Sequence, residues 1–495
     1  MPPKKSQLLE DQEYYHGLLP REDLPGLLVD KGDFLVRTSE PAADQGNKQI
    51  CICVRTTKNP NLSREARKTS TITVKSKEVV SVVENKEDVI RNIIVQSQGK
   101  KFLIQGNAKS FKSVAEMINY FVKEKTPIIK NTDIILKKPI KQQSWELKHD
   151  DLQTKEKLGS GAFGDVLKGF LMKKGGKRLP VAIKVAKGDQ LDKDKMRAMM
   201  KEARIMRKFD HPNVVKLYGV AVEQEPFMIV MELINGPSVD KYLQENCITA
   251  EPSEREKIHL MCAAAAYGLA YLHNVRVLHR DIAARNCLYS SDKVLKITDF
   301  GMTHEGEEYK LTGARKLPVR WLSPETMNEG VHTSKSDVFS YGILVWEIFS
   351  NGQEPFVGMN NLQIQQMVVS GGRLEMPFSC PEDLTSKIMK FAWNKSPDAR
   401  WNMGEFVEYF EKEYNTKGPK PTKPGKETKL SKTSLTETTE TLEEGAKTAE
   451  EEAAKPKEEK KQRKERAPAR APARKKSGAA GGPKKMTAIK VKERF

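Results

Sequence analysis

The sequence predicts an α+β protein in which two folded domains are followed by a disordered tail. Apolar runs typical of strands, among them Phe34-Leu35-Val36 and Val181-Ala182-Ile183, occur in two stretches on either side of residue 150. The second stretch leads into helical composition over residues 192–209. From about residue 415, Lys, Glu, Thr, Pro and Ala dominate and aromatic residues almost vanish, so this segment cannot bury enough surface to fold.

Length and composition agree with this division. A chain of 495 residues with 38% hydrophobic residues can build two or three cores. The six cysteines show no metal-ligand spacing, so we expect reduced core thiols. There is no signal peptide and no apolar run of membrane-spanning length, and Pro2 stands where N-myristoylation needs a glycine. These observations favour a cytoplasmic protein.

The strongest chemical signal is the stretch His279 to Asn286 (HRDIAARN), with Asp299-Phe300-Gly301 (DFG) beginning 13 residues after Asn286. Phosphoryl transfer from ATP needs a carboxylate that orients the attacking hydroxyl and oxygen ligands that hold Mg²⁺ against the phosphates. At this spacing Asp281 supplies the carboxylate, and Asn286 and Asp299 supply the metal ligands. Either tripeptide alone would be a weak signal, because short motifs arise by chance.

Residues upstream complete an ordered set. The stretch from Leu158 to Val166 reads as a strand, a glycine-rich turn and a second strand, although a plain β-hairpin is the alternative for this stretch alone. Missing side chains let backbone N–H groups approach phosphate oxygens at Gly159, Gly161 and Gly164. Lys184 ends the next apolar strand, where it can hold the α- and β-phosphates, and Glu202 is its candidate ion-pair partner.

These residues resemble a protein kinase, and the details resemble the tyrosine-specific branch. Serine/threonine kinases usually carry a lysine two residues after the catalytic aspartate, whereas this chain has Ala283-Ala284-Arg285. Residues 318–321 (PVRW) resemble the tyrosine-kinase platform that seats a peptide, and Arg400 is the expected partner of Glu325. The resemblance implies a bilobal fold with a mainly β upper lobe and a mainly α lower lobe. It also implies ATP and Mg²⁺ as cofactors and protein tyrosines as substrates.

The resemblance assigns further groups around the nucleotide. It makes Arg285 a catalytic residue beside Asp281, Lys184 and Glu202, and it gives Glu232 and Leu233 backbone hydrogen bonds to the base. Besides the glycines, the residues that it places around the nucleotide are Leu158, Val166, Ala182, Lys184, Met231, Glu232 and Leu233. The departures from the family pattern are Phe339 for Trp, Trp401 for Pro and Ser238 for Asp. None of them removes a catalytic group, and Ser238 alters one ribose contact.

The N-terminal region resembles a different module. Tyr15-His16-Gly17, Pro20-Arg21 and residues 33–39 (DFLVRTS) resemble the Src-homology-2 (SH2) domain, an antiparallel sheet flanked by two helices. An arginine between apolar strand residues is costly to bury unless it meets an anion, so Arg37 is predicted to grip phosphotyrosine, with a structural salt bridge as the alternative. Arg21 is the second predicted clamp, and Ser39 is a predicted hydroxyl donor.

Two features depart from the SH2 pattern. Asn92 stands where the family usually has histidine, which leaves a donor but no imidazole to pack against the ring. The connection over residues 56–88 is longer than usual, and its β-branched runs predict either an added hairpin or a loop.

An SH2 domain followed directly by a tyrosine kinase is most similar to the Fes/Fer family of non-receptor tyrosine kinases. We therefore predict an SH2 domain at 10–125, a linker at 126–150, a kinase domain at 151–414 and a tail at 415–495. Phosphotyrosine-containing proteins are the implied partners. The chain is expected to be a short member without the family's N-terminal membrane-curving module. Its short linker predicts that the two domains touch, and the resemblance implies that this contact steadies the helix bearing Glu202.

The tail carries most of the formal net charge of +19, because residues 455–495 contain 16 Lys and Arg against 4 Glu, hence +12. Three interpretations stay open: a solvated tail, an electrostatic anchor to an anionic membrane face, and nuclear import or nucleic-acid binding. No aromatic residue is interleaved among these charges, which argues against base stacking, and we expect no nucleic-acid partner. Peripheral contact with the plasma membrane is the sharper hypothesis.

Two further expectations concern activity. The alternative function is a non-catalytic SH2-pseudokinase adaptor, but a pseudokinase normally lacks a metal or base residue, and here that set is complete. Tyr309 is the tyrosine between Gly301 and Pro318 and is predicted to be a regulatory phosphosite. Its phosphate would add about −1.5 to −2 charges opposite Arg280 and Arg315 and order the loop.

Overall fold

The computed structural model describes residues 8–39, 48–57, 88–160, 164–173, 175–186, 193–246, 251–311 and 317–419. The predicted hairpin or loop within 58–87 and the tail beyond residue 419 lie outside these ranges. So do Gly161, Cys247 and Arg315.

The described residues of the N-terminal domain form a six-stranded sheet in the order β5-β4-β3-β2-β1-β6, antiparallel except where β6 runs parallel to β1. The strands are β1 (Asp33–Ser39), β2 (Gln49–Thr57), β3 (Asp88–Gln98), β4 (Lys101–Ile104), β5 (Ser110–Phe111) and β6 (Lys138–Pro139). The helices are α1 (Leu24–Leu27), which continues a 3-10 turn (Arg21–Asp23), and α2 (Val114–Glu124). This is the expected antiparallel sheet with two helices.

Strand alternation divides the side chains of this sheet between two cores. Phe34 and Val36 of β1 pack with the apolar stripe of α2, including Met117 and Phe121. The Ser113 hydroxyl caps α2 by accepting from the Glu116 N–H (3.1 Å). Leu35, on the opposite face of β1, joins a second core that also contains residues of the kinase domain.

In the described part of the upper kinase lobe, five strands form an antiparallel sheet in the order β10-β11-β9-β8-β7. The strands are β7 (Leu152–Ser160), β8 (Gly164–Met172), β9 (Arg178–Ala186), β10 (Leu217–Ala221) and β11 (Met228–Glu232). The helix α3 (Lys193–Met206) lies between β9 and β10 in the chain and buries Met199 and Met200.

The lower lobe is mainly helical. Its helices are α4 (Val239–Asn246), α5 (Glu254–Glu256), α6 (Ala263–Asn274), α7 (Pro324–Glu329), α8 (Ser334–Phe349), α9 (Asn361–Ser370), α10 (Glu382–Lys387) and α11 (Met403–Glu413). Its short strands are β12 (Val277–Leu278), β13 (Cys287–Tyr289), β14 (Leu295–Ile297), β15 (His304–Glu305), β16 (Glu308–Lys310) and β17 (Val331–Thr333). The central helix α8 starts at a capping box of Thr333 and Ser336 and is almost wholly buried. The predicted bilobal architecture is therefore confirmed.

The first residues of the predicted tail still contact the kinase domain. Thr416 is buried, and its hydroxyl shares a hydrogen bond with that of Tyr267 (2.7 Å). The Gly418 N–H donates to Glu411 of α11 (3.3 Å). The packed part of the chain thus continues a few residues past position 414.

The two folded domains are in contact, as the short linker predicted. The second core joins Leu35 and Cys53 of the N-terminal domain to Met199 and Ala203 of α3. The linker pairs with the upper lobe, because the Leu147 N–H donates to Val220 and the Val220 N–H donates to Trp145, both at 2.8 Å. Apolar burial of this kind is the main source of cohesion between packed elements.

Polar contacts fix the register of this interface. The Asp23 carboxylate accepts from Arg204 and Arg207 of the α3 segment, in both cases at 2.8 Å. The Leu18 N–H donates to the Val222 carbonyl (2.7 Å). Gly17, at φ +55°, lies so close that an added Cβ would stand 2.4 Å from this same carbonyl oxygen.

Cys51, Cys53, Cys262, Cys287 and Cys380 are buried free thiols, as expected for reduced core cysteines. Within the described ranges, no helix combines the length and apolar character that crossing a bilayer would require.

Candidate functional site

Strand pairing brings the predicted nucleotide-binding residues of the upper lobe together. Val166 of β8 lies opposite Lys184 of β9, and Ala182 lies opposite Met231 of β11. Among the described residues, an added Cβ at Gly159 would meet no atom within 4 Å, which leaves room for a ligand over β7. Leu158 of the same strand is 51% exposed.

Gly164 is required by the sheet itself. A Cβ at this position would lie 1.9 Å from the Val185 carbonyl oxygen of the neighbouring strand. The glycine therefore permits close pairing of β8 and β9, whatever its part in phosphate binding.

The predicted ion pair between Lys184 and Glu202 is present. The Lys184 ammonium donates to both carboxylate oxygens, at 2.8 and 2.7 Å, and the two side chains are only 12% and 5% exposed. Burial raises the pKa of Glu202, and the charge of Lys184 offsets part of this rise. The pair joins α3 to strand β9 of the sheet.

The stretch 279–286, here called the catalytic loop, is anchored by a buried carboxylate that was not among the predicted site residues. Asp337 of α8 accepts from the backbone N–H groups of His279 (2.8 Å) and Arg280 (2.9 Å). Its oxygens also meet the imidazoles of His273 (3.1 Å) and His332 (2.9 Å). Burial alone would raise the Asp337 pKa, but these hydrogen bonds hold it well below its usual range. The anchor holds Arg280 in the left-handed region, at φ +70°.

Asp281, the predicted catalytic carboxylate, lies directly after this turn and is oriented by its neighbours. Asn286 Nδ2 donates to the Asp281 carboxylate (2.7 Å) and to its carbonyl (2.8 Å). Arg285 donates to the other carboxylate oxygen. One side chain thus has both oxygens held in place, as a group that must orient a hydroxyl requires.

The two predicted metal ligands emerge at the same end of the β13-β14 hairpin. Cys287, which follows Asn286, pairs with Ile297, and the Thr298 N–H donates to the Asn286 carbonyl (2.8 Å). Asp299 is the next residue along the chain and has φ +60°. Amide and carboxylate oxygens are hard ligands that suit Mg²⁺.

Phe300 secures the chain immediately after Asp299. It is 1% exposed and packs against Phe209 (centroids 4.9 Å apart) and His279 (5.2 Å). Its contacts join the end of the α3 segment to the catalytic loop, so Asp299 is positioned by both lobes.

The segment after β11 connects the lobes beside Met231. The Glu232 N–H donates to the Lys216 carbonyl (2.9 Å), and its carboxylate pairs with Lys296 (2.9 Å). The Glu232 N–H is thus already used, and its carbonyl is the group that we expect to meet an adenine base. Leu233 follows with intermediate exposure.

Comparisons with known proteins agree with this geometry. The family model for protein tyrosine and serine/threonine kinases matches residues 152–410. Fer-related kinase 1 of Caenorhabditis elegans is 35% identical over 412 residues, which cover 83% of this chain and 95% of that protein. The chain belongs to the Fes/Fer family of tyrosine kinases.

Longer relatives agree with this assignment. Human tyrosine-protein kinase Fer is 35% identical over 400 residues, or 80% of this chain and 43% of that protein. The transforming protein Fps of avian sarcoma virus (strain PRCII) is 33% identical over 405 residues, which cover 81% of this chain and 68% of that protein. This Fes/Fer-family chain is therefore a protein tyrosine kinase, as the motifs predicted.

Tyrosine-kinase features of the lower lobe are packed as the family pattern implies. Arg400 forms a bidentate pair with Glu325, both contacts being 2.8 Å. The guanidinium of Arg285 lies 3.9 Å from the ring centroid of Trp321, the last residue of the peptide platform. The substituted Trp401 stacks on Phe391 with centroids 4.1 Å apart, and Phe339 packs 5.2 Å from the Arg400 guanidinium.

A second candidate site lies on the N-terminal sheet around Arg37. This residue is 4% exposed and donates from Nη1 to the Leu19 carbonyl (3.2 Å) and from Nη2 to Asn92 Oδ1 (3.3 Å). Its buried Nε has no hydrogen-bond partner among the described residues. Asn92 thus presents its oxygen to Arg37, whereas the sequence analysis expected it to serve as a donor.

The other predicted clamps lie near Arg37. Arg37 donates to the carbonyl of Leu19, which lies two residues before Arg21. Arg21 is exposed, and Ser39 is half-buried at the end of β1. The hydroxyl of the adjacent Thr38 is engaged by that of Tyr15 (2.8 Å).

Tyr309 occupies a defined place in the unphosphorylated chain. It lies on β16, opposite His332 of β17, and the Arg280 guanidinium stands 3.6 Å from its ring centroid. The His304 ring is 4.8 Å away. Phosphate at this position would lie beside Arg280, the guanidinium that it is predicted to pair with, and the ordering of the loop stays a prediction.

Preincubation with Mg-ATP is expected to raise the activity of the parent kinase, and Tyr309→Phe is expected to prevent this rise. The phenyl ring can still stack on Arg280, but it cannot accept a phosphate that would form charge-assisted hydrogen bonds with that guanidinium. Initial rates with and without preincubation measure this, and Tyr218→Phe, at a half-exposed tyrosine of the upper lobe, is the control. If Tyr309→Phe gains activity as the parent does, the switch lies elsewhere.

The functional residues that the sequence analysis missed have partners far away in the chain. Asp337 lies on a helix that is mostly apolar after Val338, and nothing near it in the sequence indicates contact with the catalytic loop. Asp23 pairs with Arg204, which is 181 residues away, and nothing near Asp23 indicates that contact.

Proposed function

We propose that this tyrosine kinase transfers the γ-phosphate of Mg-ATP to the tyrosines of proteins to which an N-terminal SH2 domain directs it. The observation that carries the targeting half is Arg37, a buried guanidinium held by two neutral oxygens, with Nε unpaired among the described residues. A buried guanidinium is stable when it meets an anion, and a phosphate matches its planar fork.

The donor set around the cleft fits Mg-ATP. Asn286 and Asp299 offer an amide and a carboxylate oxygen to the metal, and Lys184, aligned by Glu202, offers an ammonium to the phosphates. The metal would neutralise charge that develops on the phosphates.

On the protein side, Asp281 orients the tyrosine hydroxyl and accepts its proton, while Arg285 holds the carboxylate in place. Most of the rate enhancement then comes from positioning and charge neutralisation. The adaptor alternative would require this assembled cleft to be idle. An assay of ATP-dependent phosphorylation of a Glu/Tyr polymer separates the two functions, since an adaptor would transfer no phosphate to the polymer.

Arg37→Lys is expected to weaken phosphotyrosine-peptide binding by at least roughly 1.5–3 kcal/mol, the range for a charged hydrogen bond. Lysine keeps the charge but loses the planar fork that meets two phosphate oxygens. Titration of a labelled phosphopeptide measures the change, and kcat/KM on a solution peptide should stay the same. Arg55→Lys, on the neighbouring strand beside Asp88, is the matched control. Unchanged affinity in Arg37→Lys would refute the assignment.

The phosphotyrosine that fills this site must come from outside the tail. All 12 tyrosines of the chain lie between Tyr14 and Tyr414, so the segment from 420 to 495 contains no tyrosine that could bind the pocket of its own chain.

We propose that residues 455–495 form a second, electrostatic binding segment, which attaches the kinase to the anionic cytoplasmic face of a membrane. Their net charge of +12 supports this, since each Lys or Arg near such a surface contributes about 1 kcal/mol.

Deletion of residues 455–495 is expected to weaken binding to phosphatidylserine vesicles and leave phosphopeptide affinity unchanged. The loss should shrink as salt rises, because screening acts over about 8–10 Å. Deletion of residues 427–454, which contain eight Glu and three Lys, is the control and should not weaken vesicle binding. Equal vesicle binding by the tail-deleted and intact proteins at low salt would contradict the anchoring role.

A further inference from the structure

A buried carboxyl group lies beneath the catalytic loop and belongs to none of the predicted site residues. Glu347 of α8 is 4% exposed, and one of its oxygens, Oε2, accepts two hydrogen bonds. The first comes from the Ala284 N–H (2.9 Å), within the catalytic loop. The second comes from the indole N–H of Trp321 (3.1 Å), on the peptide platform. A single oxygen atom therefore joins the two segments that must present a peptide tyrosine to the catalytic carboxylate.

A second connection between these segments lies around Arg285. Its guanidinium packs over Trp321, with its carbon 3.9 Å from the ring centroid. It also donates to the Asp281 carboxylate. The contacts form a closed circuit from Asp281 through Arg285, Trp321 and Glu347 to Ala284, which lies three residues after Asp281 in the chain. The platform cannot shift relative to Asp281 without breaking one of these contacts.

The surroundings of Glu347 indicate what its side chain must supply. Burial raises its pKa to about 8, hydrogen bonds from Ala284 and Trp321 and the charge of Arg285 lower it, and Asp240 raises it further. A carboxyl group that is protonated at neutral pH still accepts hydrogen bonds through its carbonyl oxygen. The side chain at this position must therefore supply a hydrogen-bond acceptor to Ala284 and Trp321, and that acceptor does not have to carry a negative charge.

We propose that Glu347 is a positioning residue for phosphoryl transfer to tyrosine, which keeps the peptide platform in register with Asp281 through Trp321 and Ala284. The proposal takes the tyrosine-kinase activity as given. The described contacts of Glu347 lead to the peptide side of the cleft, whereas the Lys184–Glu202 pair lies in the upper lobe. Loss of the acceptor should therefore impair use of the peptide while nucleotide binding stays intact.

The test compares Glu347→Gln and Glu347→Ala in the full chain, with steady-state kinetics on a tyrosine peptide and on ATP. Glutamine can place its carbonyl oxygen where Oε2 lies, so its kcat/KM for the peptide should stay within about threefold of the parent. Alanine leaves the Ala284 N–H and the Trp321 indole without this acceptor. Its kcat/KM for the peptide should fall about tenfold or more, with KM for ATP within about twofold.

Trp321→Phe tests the same contact from the other partner. It keeps a ring for Arg285 to pack on but removes the indole donor, so it should reduce peptide kcat/KM, and Glu347→Ala should add little to that loss in the double variant. If Glu347→Ala does not fold, Trp321→Phe still decides, because wild-type peptide kinetics in Trp321→Phe would overturn the proposal.

Three other results would also overturn it. One is a Glu347→Ala protein with normal peptide kinetics. Another is a Glu347→Gln protein as impaired as Glu347→Ala, since then an acceptor would not suffice. The third is an equal loss for peptide and ATP, which a general folding defect would produce. None of these results would contradict the kinase activity itself, because the parent protein is assayed for that activity alongside the variants.

Discussion

Asp281→Asn is expected to reduce phosphorylation of a Glu/Tyr polymer by about 10²–10⁴-fold, the usual contribution of a positioned general base. The amide has nearly the shape of the carboxylate, but it cannot take the hydroxyl proton. Its NH₂ group would also face one of the donors, Asn286 Nδ2 or Arg285, that now hold the two oxygens. Both ground-state orientation and proton acceptance are therefore lost.

Nucleotide binding should survive this substitution, because the Lys184–Glu202 pair does not involve Asp281. The measurement is kcat at saturating Mg-ATP, together with the Kd for a fluorescent nucleotide and a melting curve. Asp292→Asn changes an exposed aspartate in the β13-β14 turn and serves as the control. Turnover retained by a folded Asp281→Asn protein would remove Asp281 from its assigned role.

Asp23→Lys is expected to lower kcat/KM towards a peptide in solution by about 5–150-fold, the range of a 1–3 kcal/mol coupling between sites. The Asp23 carboxylate is buried against Arg204 and Arg207, and a lysine there would bring three cations together. Arg204 lies two residues after Glu202 on α3, so repulsion at this contact should loosen the helix that aligns Lys184.

Two further variants separate this effect from general damage. Glu22→Lys reverses the charge of a half-exposed residue next to Asp23, and the Glu22 carboxylate lies 3.8 Å from Arg197. This variant should change activity little. Gly17→Val places a side chain against the Val222 carbonyl and should reproduce the loss without changing any charge. Unchanged kcat/KM in both Asp23→Lys and Gly17→Val would leave the N-terminal domain only a targeting role, and a rise would mean that it restrains the kinase.

The parts of the site that the sequence predicted are those whose chemistry is local. Asp281 and Asn286 lie five residues apart on one loop, so their spacing alone brings them together. Lys184 and Glu202 required knowledge of the strand and helix order, which the family resemblance supplied. The burial of Arg37 follows from its place within an apolar strand, and its phosphotyrosine ligand stays a prediction.

The remainder depended on contacts that no local pattern encodes. Asp337 and Glu347 lie in a helix whose composition indicates only burial, and their contacts with α6 and the catalytic loop span 57 to 64 residues. Asn92 offered a donor and an acceptor equally, and only its position beside Arg37 selected the oxygen. The packing of Tyr309 against Arg280 in the unphosphorylated chain could not be foreseen from their spacing, and the effect of phosphate on the loop stays a prediction.

The convergence of four donors on Asp337 has a consequence for how the lower lobe opens. His273 belongs to α6, His279 and Arg280 to the catalytic loop, and His332 to β17, which pairs with the strand that carries Tyr309. Detaching any one segment removes a donor from a buried carboxylate, which costs about 1–3 kcal/mol and weakens the anchor that the other segments share. We therefore expect these segments to open together, so that their protected amide hydrogens share one free energy of opening in hydrogen-exchange measurements.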